Sequence, residues 1–206
     1  MTSFNPATPL GYSDVPPGHV ASVVTCLEMR AKPDAPAVRL PEGVTIVPMN
    51  RTDLNAYRVL FRKIGADWLW YSRLIMTDAE LAMTLSDPGV EAFVIRDEND
   101  NIGLLELDFR KPGSCELVFL GLVAGATGKG LGRALMSFAI ERAWSRPIER
   151  LWVHTCTFDS PAALPFYVRS GFTPFAFKVE VQPDPRLTGH LALGAAPQVP
   201  MISANQ

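Results

Sequence analysis

The chain has 206 residues, of which 19 are Lys or Arg and 21 are Asp or Glu, for a formal net charge of −2. That balance excludes a general electrostatic pull toward nucleic acid or an anionic membrane, while 48% hydrophobic residues suffice for one substantial core. No basic-then-apolar leader opens the chain and no apolar run approaches the ~18 residues of a membrane span, so a cytoplasmic protein is expected.

Residues 1–17 are rich in Pro, Gly and Ser and read as surface coil, whereas 19–29 reads as an apolar strand. A proline-punctuated linker over 33–41 leads to a short strand at 44–47. Asn50 or Thr52 can start a helix to Ile64, with Leu54, Tyr57, Leu60 and Phe61 on one face. An aromatic cluster fills 66–76. Residues 77–85 read as a helix with Thr77 as cap and Glu80 in the capping-box position. Strands at 90–96 and 102–109 flank a polar turn at 97–101, and a further strand runs over 115–123. Helix 131–144, strand 151–157, helix 161–170 and strand 173–181 follow, and 184–206 lacks periodicity. The three cysteines, Cys26, Cys115 and Cys156, all fall in expected strands and have neither disulfide nor metal-ligand spacing, so no metal is expected. The alternation is that of an α/β domain around a mixed sheet.

The stretch from Glu116 to Gly132 carries the strongest signal, an apolar strand that passes through a glycine-rich turn into a helix. Glycines 128, 130 and 132 let the backbone turn sharply and bring bare N–H groups to an anion, at the positive end of the helix dipole. A Walker loop does not fit, because Val123 stands where its first glycine belongs and Gly130 where its hydroxyl belongs. A dinucleotide fingerprint does not fit either, since its last glycine falls on Arg133 or Leu135.

Thr127-Gly128-Lys129-Gly130-Leu131-Gly132 does resemble the acyl-CoA loop of the GNAT acyltransferases, Gln/Arg-x-x-Gly-x-Gly/Ala. The departure is Thr127, too short to reach as Gln or Arg does, and suited instead to capping the helix. A second segment, from Ser160 through Ala163, Tyr167 and Gly171 to Phe172, resembles the family run Asn-x-x-Ala-x-x-x-Tyr-x-x-x-Gly-Phe, with Ser160 replacing Asn. Ser160 or Asp159 is the expected cap of that helix, and Gly171 its end. The resemblance covers about residues 44–182, which divides the chain into an extension at 1–43 with one strand, a GNAT-like domain and a tail at 183–206. Residues 19–29, 67–73 and 152–157 also look like a bacterial subgroup of the family, which brings no acceptor with it.

The resemblance implies a mixed, mostly antiparallel sheet flanked by helices, acetyl-CoA as acyl donor, and transfer to a small-molecule or peptide amine; a homodimer is compatible with it. It implies that Thr127, Gly128, Lys129, Gly130, Leu131, Gly132 and Ser160 hold the cofactor, with backbone N–H groups near Leu122 or Val123 polarising the thioester. Tyr167, four residues after Ala163 on one helix face, is implied as the general acid beside the CoA sulfur, against the alternative of a buried core aromatic. Glu116, eleven residues before Thr127, matches the spacing of the general base in the histone acetyltransferase branch. It shares strand parity with Val118, Leu120 and Leu122, an otherwise apolar side; the alternative is a strand-edge glutamate facing water. His154 is the second candidate for the base, or a packed strand histidine lining the acceptor site. Trp68, Trp70 and Tyr71 either wall an acceptor pocket or belong to the core, and Arg73 pairs with an acidic acceptor or forms a surface salt bridge. No cysteine stands where the family uses one as nucleophile, so direct transfer is expected. The alternative function is a non-catalytic acyl-CoA-binding regulator.

Overall fold

A computed structural model describes residues 8–98, 100–127 and 130–203, so the expectations for Gly128 and Lys129 lie outside the described residues. Among these residues seven strands form one sheet: β1 (His19–Met29), β2 (Thr45–Pro48), β3 (Val90–Arg96), β4 (Asn101–Asp108), β5 (Ser114–Leu122), β6 (Arg150–Cys156) and β7 (Thr173–Pro183). Their order is β2-β3-β4-β5-β6-β1-β7, and every neighbouring pair is antiparallel except β5–β6. Among the described residues four α-helices cover the sheet: α1 (Leu54–Gly65), α2 (Asp78–Ser86), α3 (Leu131–Ala143) and α4 (Ala163–Arg169). The expected mixed, mostly antiparallel α/β architecture is therefore present.

Two cores lie on opposite faces of the sheet. Tyr57, Leu60, Phe61 and Ile64 of α1 join Leu81 and Leu85 of α2 under Val94 and Leu104. Leu131, Leu135, Ala139 and Ala143 of α3 join Tyr167 and Phe172 over Leu27, Cys115, Leu117 and Val153. The apolar spacings along these helices supply one buried stripe each. Thr77 and Glu80 form the expected capping box of α2. The cap of α1 is Asp53 rather than Asn50 or Thr52; its carboxylate accepts from the Ala56 N–H at 2.9 Å, while Asn50 accepts from the Thr52 N–H and hydroxyl and shapes the preceding turn.

Strand β1, distant in sequence from its neighbours, sits inside the sheet between β6 and β7. The segment after β7 is also built in. Arg186 and Asp184 are buried as a pair, and Arg186 donates to the carbonyls of Ala195, Ala196 and Val199, so irregular chain is held by side-chain hydrogen bonds where periodicity is absent. Leu191, Ala195 and Ala196 pack there on Val20, Leu69 and Phe158.

One irregularity positions the site. Parallel pairing of β5 with β6 runs from Ser114↔Arg150 to Leu117↔Val153 and stops, although β5 continues to Leu122 and β6 to Cys156. At the same point β5 carries a bulge: Leu117 faces Leu107 and Phe119 faces Glu106, with Val118 extra. The extra residue reverses the side-chain alternation. Beyond it Leu120 and Leu122 pack against the core that holds Cys115 and Leu117, whereas Phe119 joins the opposite one. The expected parity of Glu116 with Leu120 and Leu122 is thus corrected; its side continues as Phe119 and Gly121.

Candidate active site

Where β5 and β6 part, a cavity of about 970 Å³ opens, lined by 118–122 of β5, the start of α3, the segment from Phe158 to Tyr167, the turn at 67–72, and His154, Cys156, Glu180 and Gln182. The bond from the Val123 N–H to the Ile102 carbonyl at 2.9 Å makes Val123 a hydrogen-bonded ladder position. Its N–H is therefore not free for a ligand, which corrects that expectation. Alternation along the antiparallel pair then turns the N–H groups of Leu120 and Leu122 away from β4, into the gap.

At the start of α3, Gly130 has φ +78°, and a Cβ built there would meet only the Arg133 guanidinium, at 3.9 Å. The left-handed backbone, more than crowding, requires glycine at this point. The Arg133 and Ala134 N–H groups both close on the Gly130 carbonyl. Among the described residues the N–H groups of Leu131 and Gly132 have no acceptor, which fits an anion there. The Leu131 side chain is buried in the core, so only its backbone can serve a ligand. Thr127 does not cap α3; its hydroxyl donates to the Ala124 carbonyl at 2.9 Å and closes the preceding turn.

Helix α4 begins at Ala163 with Ala162 at its cap position, later than expected. Ser160 accepts from the Ala162 N–H at 3.3 Å within the leading turn and lines the cavity. Asp159 turns away from the helix. Its carboxylate accepts from Trp70 Nε1 at 3.1 Å, the Thr155 hydroxyl at 2.7 Å and the Cys156 N–H at 2.9 Å, tying the end of β6 to the aromatic turn. Tyr167 is buried yet lines the cavity, with its ring edge-on to Phe172 at 6.0 Å. Burial, with Asp159 nearby, pushes its phenol well up, so it keeps its proton at neutral pH.

The aromatic turn is shaped by close packing. A Cβ on Gly65 would lie 2.4 Å from the Trp70 Cβ, and one on Gly121 would lie 2.4 Å from Ile64 Cγ2 and 2.9 Å from Trp70 Cη2. Both glycines are needed to seat this indole between α1 and β5. Leu69 adopts φ +55°, an unfavourable conformation for leucine that is held by burial of its side chain. Trp68, Trp70 and Tyr71 all line the cavity, and Trp70 also packs against the core beneath α1. Arg73 does not: it is buried and paired with Glu106, which also accepts from the Tyr57 hydroxyl at 2.6 Å. Burial alone would lower the Arg73 guanidinium, but the facing Glu106 carboxylate outweighs it and raises it.

Glu116 and His154 stand as a pair, 3.3 Å from His154 Nδ1 to Glu116 Oε1. His154 lines the cavity; Glu116 does not, and reaches it only through the imidazole. The hydrogen bond to Glu116 raises the histidine, with Asp159 and Glu180 adding to it against burial. Burial pushes the Cys156 thiol up, which disfavours the thiolate a nucleophile needs. Among the described residues no group of three or more His, Cys, Asp or Glu could hold a metal ion, and no helix is long and apolar enough to cross a membrane. Sequence alone does not single out Glu180, Gly65 or Gly121, and offers Asp159 only as a helix cap; of the other three only the glycines leave a trace, as isolated Gly in a helix and in a strand.

A family model described as the acetyltransferase (GNAT) family matches residues 55–172, more than half of the chain. The chain belongs to the GNAT acetyltransferase family. Among curated proteins, this GNAT chain is 32% identical over 95 residues to a mycothiol acetyltransferase from Beutenbergia cavernae, a match covering 45% of this chain and 31% of that one. The chain thus spans about a third of the length of that relative. Among solved structures, a GCN5-related N-acetyltransferase from Sphaerobacter thermophilus aligns at a TM-score of 0.61 with 16% identity, over 90% of this chain and 55% of that one. One from Kribbella flavida aligns at 0.55 with 20% identity, over 84% and 63%. An aminoglycoside acetyltransferase from an uncultured soil metagenomic sample aligns at 0.52 with 19% identity, over 63% and 88%. At these identities the structures speak for the fold.

Proposed function

We propose that the cavity is the active site of an acetyl-CoA-dependent N-acetyltransferase that transfers acetyl directly to a primary amine. The observation that carries this is the gap between β5 and β6, where unpaired backbone donors of Leu120 and Leu122 meet Tyr167 and His154 around one space. Acetyl-CoA supplies an activated thioester. The N–H groups of Leu131 and Gly132 hold its pyrophosphate, and the Leu122 N–H donates to its carbonyl oxygen. His154 takes the proton of the incoming amine, with Glu116 as the positioning residue that orients its ring and makes it more basic. Tyr167 gives its proton to the departing thiolate as the carbon–sulfur bond breaks and the carbon–nitrogen bond forms. Trp68, Trp70 and Tyr71 form one acceptor wall and Glu180 the other, an aromatic and acidic surround suited to a cationic amine. A raised Cys156 thiol supports direct transfer over a covalent intermediate.

The test is a screen of amines, amino acids, aminoglycosides and lysine peptides with acetyl-CoA, following release of free thiol. Acceptor-dependent release is expected. Tight binding of acetyl-CoA with no release for any acceptor would make the chain an acyl-CoA-binding regulator instead.

A further inference from the structure

Strand β7 closes one side of the sheet, next to β1. The Asp184 N–H donates to the Gly18 carbonyl at 2.9 Å, so the even-numbered residues of β7 turn their backbone groups toward β1 and the odd-numbered ones turn theirs outward. Among the described residues nothing pairs with the outward N–H and C=O groups of Phe177, Val179 and Val181. Such an edge is a template for a further strand. Proline and a bulge, the usual devices that blunt an edge, stand at its ends: Pro174 and the bulge at Phe175 before the run, Pro183 after it.

The side chains sort by face. Phe177, Val179 and Val181 stand opposite Thr25, Val23 and Ala21, on the side of β1 that carries Leu27, yet Phe177 is 73% exposed and Val179 51%. Lys178 and Glu180 lie on the other side, that of the large cavity, which Glu180 helps to line. Among the described residues neither of these two charges has an ion pair or a side-chain hydrogen bond.

The sequence of β7 is complementary to itself in the antiparallel sense. A two-fold axis perpendicular to the sheet keeps like faces together, so residues of equal parity oppose each other. Centred on Val179, it sets Lys178 opposite the partner's Glu180 and Phe177 opposite the partner's Val181, and it turns the outward N–H and C=O groups of the two copies toward one another. Moving the centre by one residue sets Lys178 against Lys178 or Glu180 against Glu180, and like charges directly opposite destabilise a strand pair. Moving it by two leaves Glu180 opposite Pro174 or Gln182.

We propose that β7 is the interface of a two-fold dimer, in which two copies of this chain join their sheets edge to edge about Val179 and cover Phe177, Val179 and Val181. The dimer does not depend on the acyl-transfer reading, but it reaches the same cavity, because the partner's Lys178 then stands beside Glu180 at its wall.

Sedimentation equilibrium of the full chain between about 1 and 100 µM tests this, with backbone amide exchange followed over the same range. A monomer–dimer equilibrium is expected, in which the Val179 and Val181 amides exchange more slowly as the dimer forms. Val179→Lys brings two like charges together at the axis and should leave a folded monomer, since this side chain is exposed. Lys178→Glu should weaken association about tenfold or more, and Lys178→Glu combined with Glu180→Lys should restore it to within about threefold, because the exchange re-creates both ion pairs. A monomer throughout the range would overturn the proposal, including one whose Val179 and Val181 amides are protected by another segment of the same chain. A dimer that survives Val179→Lys would overturn it too, and a dimer indifferent to Lys178→Glu, or not restored by the exchange of charges, would overturn the register about Val179.

Discussion

Gly121→Ala places a methyl group 2.4 Å from Ile64 Cγ2 and 2.9 Å from Trp70 Cη2, where carbons in contact stand about 3.5–4.0 Å apart. Neither neighbour can retreat. Ile64 is buried within α1, and the Trp70 side chain is backed by Gly65, whose own Cβ would fall 2.4 Å from the Trp70 Cβ. Overpacking of this kind costs about 1–3 kcal/mol, which for a chain of this size lowers the melting temperature by about 2–12 °C. Because Trp70 also donates to Asp159, a displaced indole should loosen the acceptor wall and raise KM for the amine more than for the donor. Gly132→Ala is the matched control: its Cβ would meet nothing nearer than Phe166 at 4.0 Å, and inside a helix alanine gains about 0.5–1 kcal/mol over glycine. Calorimetric melts of the three proteins decide the matter. A Gly121→Ala melt within 1 °C of wild type, or a larger loss in Gly132→Ala, would refute the packing argument.

Three further outcomes are expected. Glu116 raises the histidine, so kcat/KM should climb with pH through a midpoint above the ordinary ~6.5 of histidine, and Glu116→Gln should bring that midpoint down; a midpoint near the ~4.3 of a glutamate would make Glu116 the base itself. The same shift contributes stability that is fully present below pH ~6.5 and is lost as pH rises through the raised value. The melting difference between wild type and Glu116→Gln should therefore shrink from acid to alkaline buffer, and a difference that grows would be contrary. Arg73→Leu strands the buried Glu106 carboxylate and should cost about 3–5 kcal/mol by urea unfolding, a loss that a surface salt bridge would not produce.

Much of the fold was legible because its signals are local. The apolar run at 19–29 is β1, and the hydroxyl–glutamate spacing at 77–80 is the cap of α2. The departures come from through-space effects. The bulge at Val118 is an extra residue opposite β4, invisible without the partner strand, and it alone reversed the side on which Glu116 was expected. Asp159 resembled a helix cap in sequence, but Trp70, Thr155 and Cys156 offer it three donors, two of them on the end of β6. The 184–203 segment has no period because its order depends on Arg186 donating to distant carbonyls, a device with no sequence rhythm. Tyr167 stands in a motif and His154 in a strand alternation, yet their sharing one cavity depends on where β5 and β6 separate.

The most direct measurement follows an isotopically labelled acetyl group from acetyl-CoA into an amine found by the screen, for wild type and Tyr167→Phe, with acetyl-CoA affinity measured on both. The substitution keeps the ring that packs on Phe172, so affinity and melting temperature should hold. Label should enter the amine in the wild type, and turnover should fall about 10²- to 10⁴-fold in the variant, as general acid help is lost. Label that never reaches any amine, or turnover within twofold of wild type in a folded Tyr167→Phe protein, would contradict the assignment of this cavity as an acetyl-transfer site with Tyr167 as its acid.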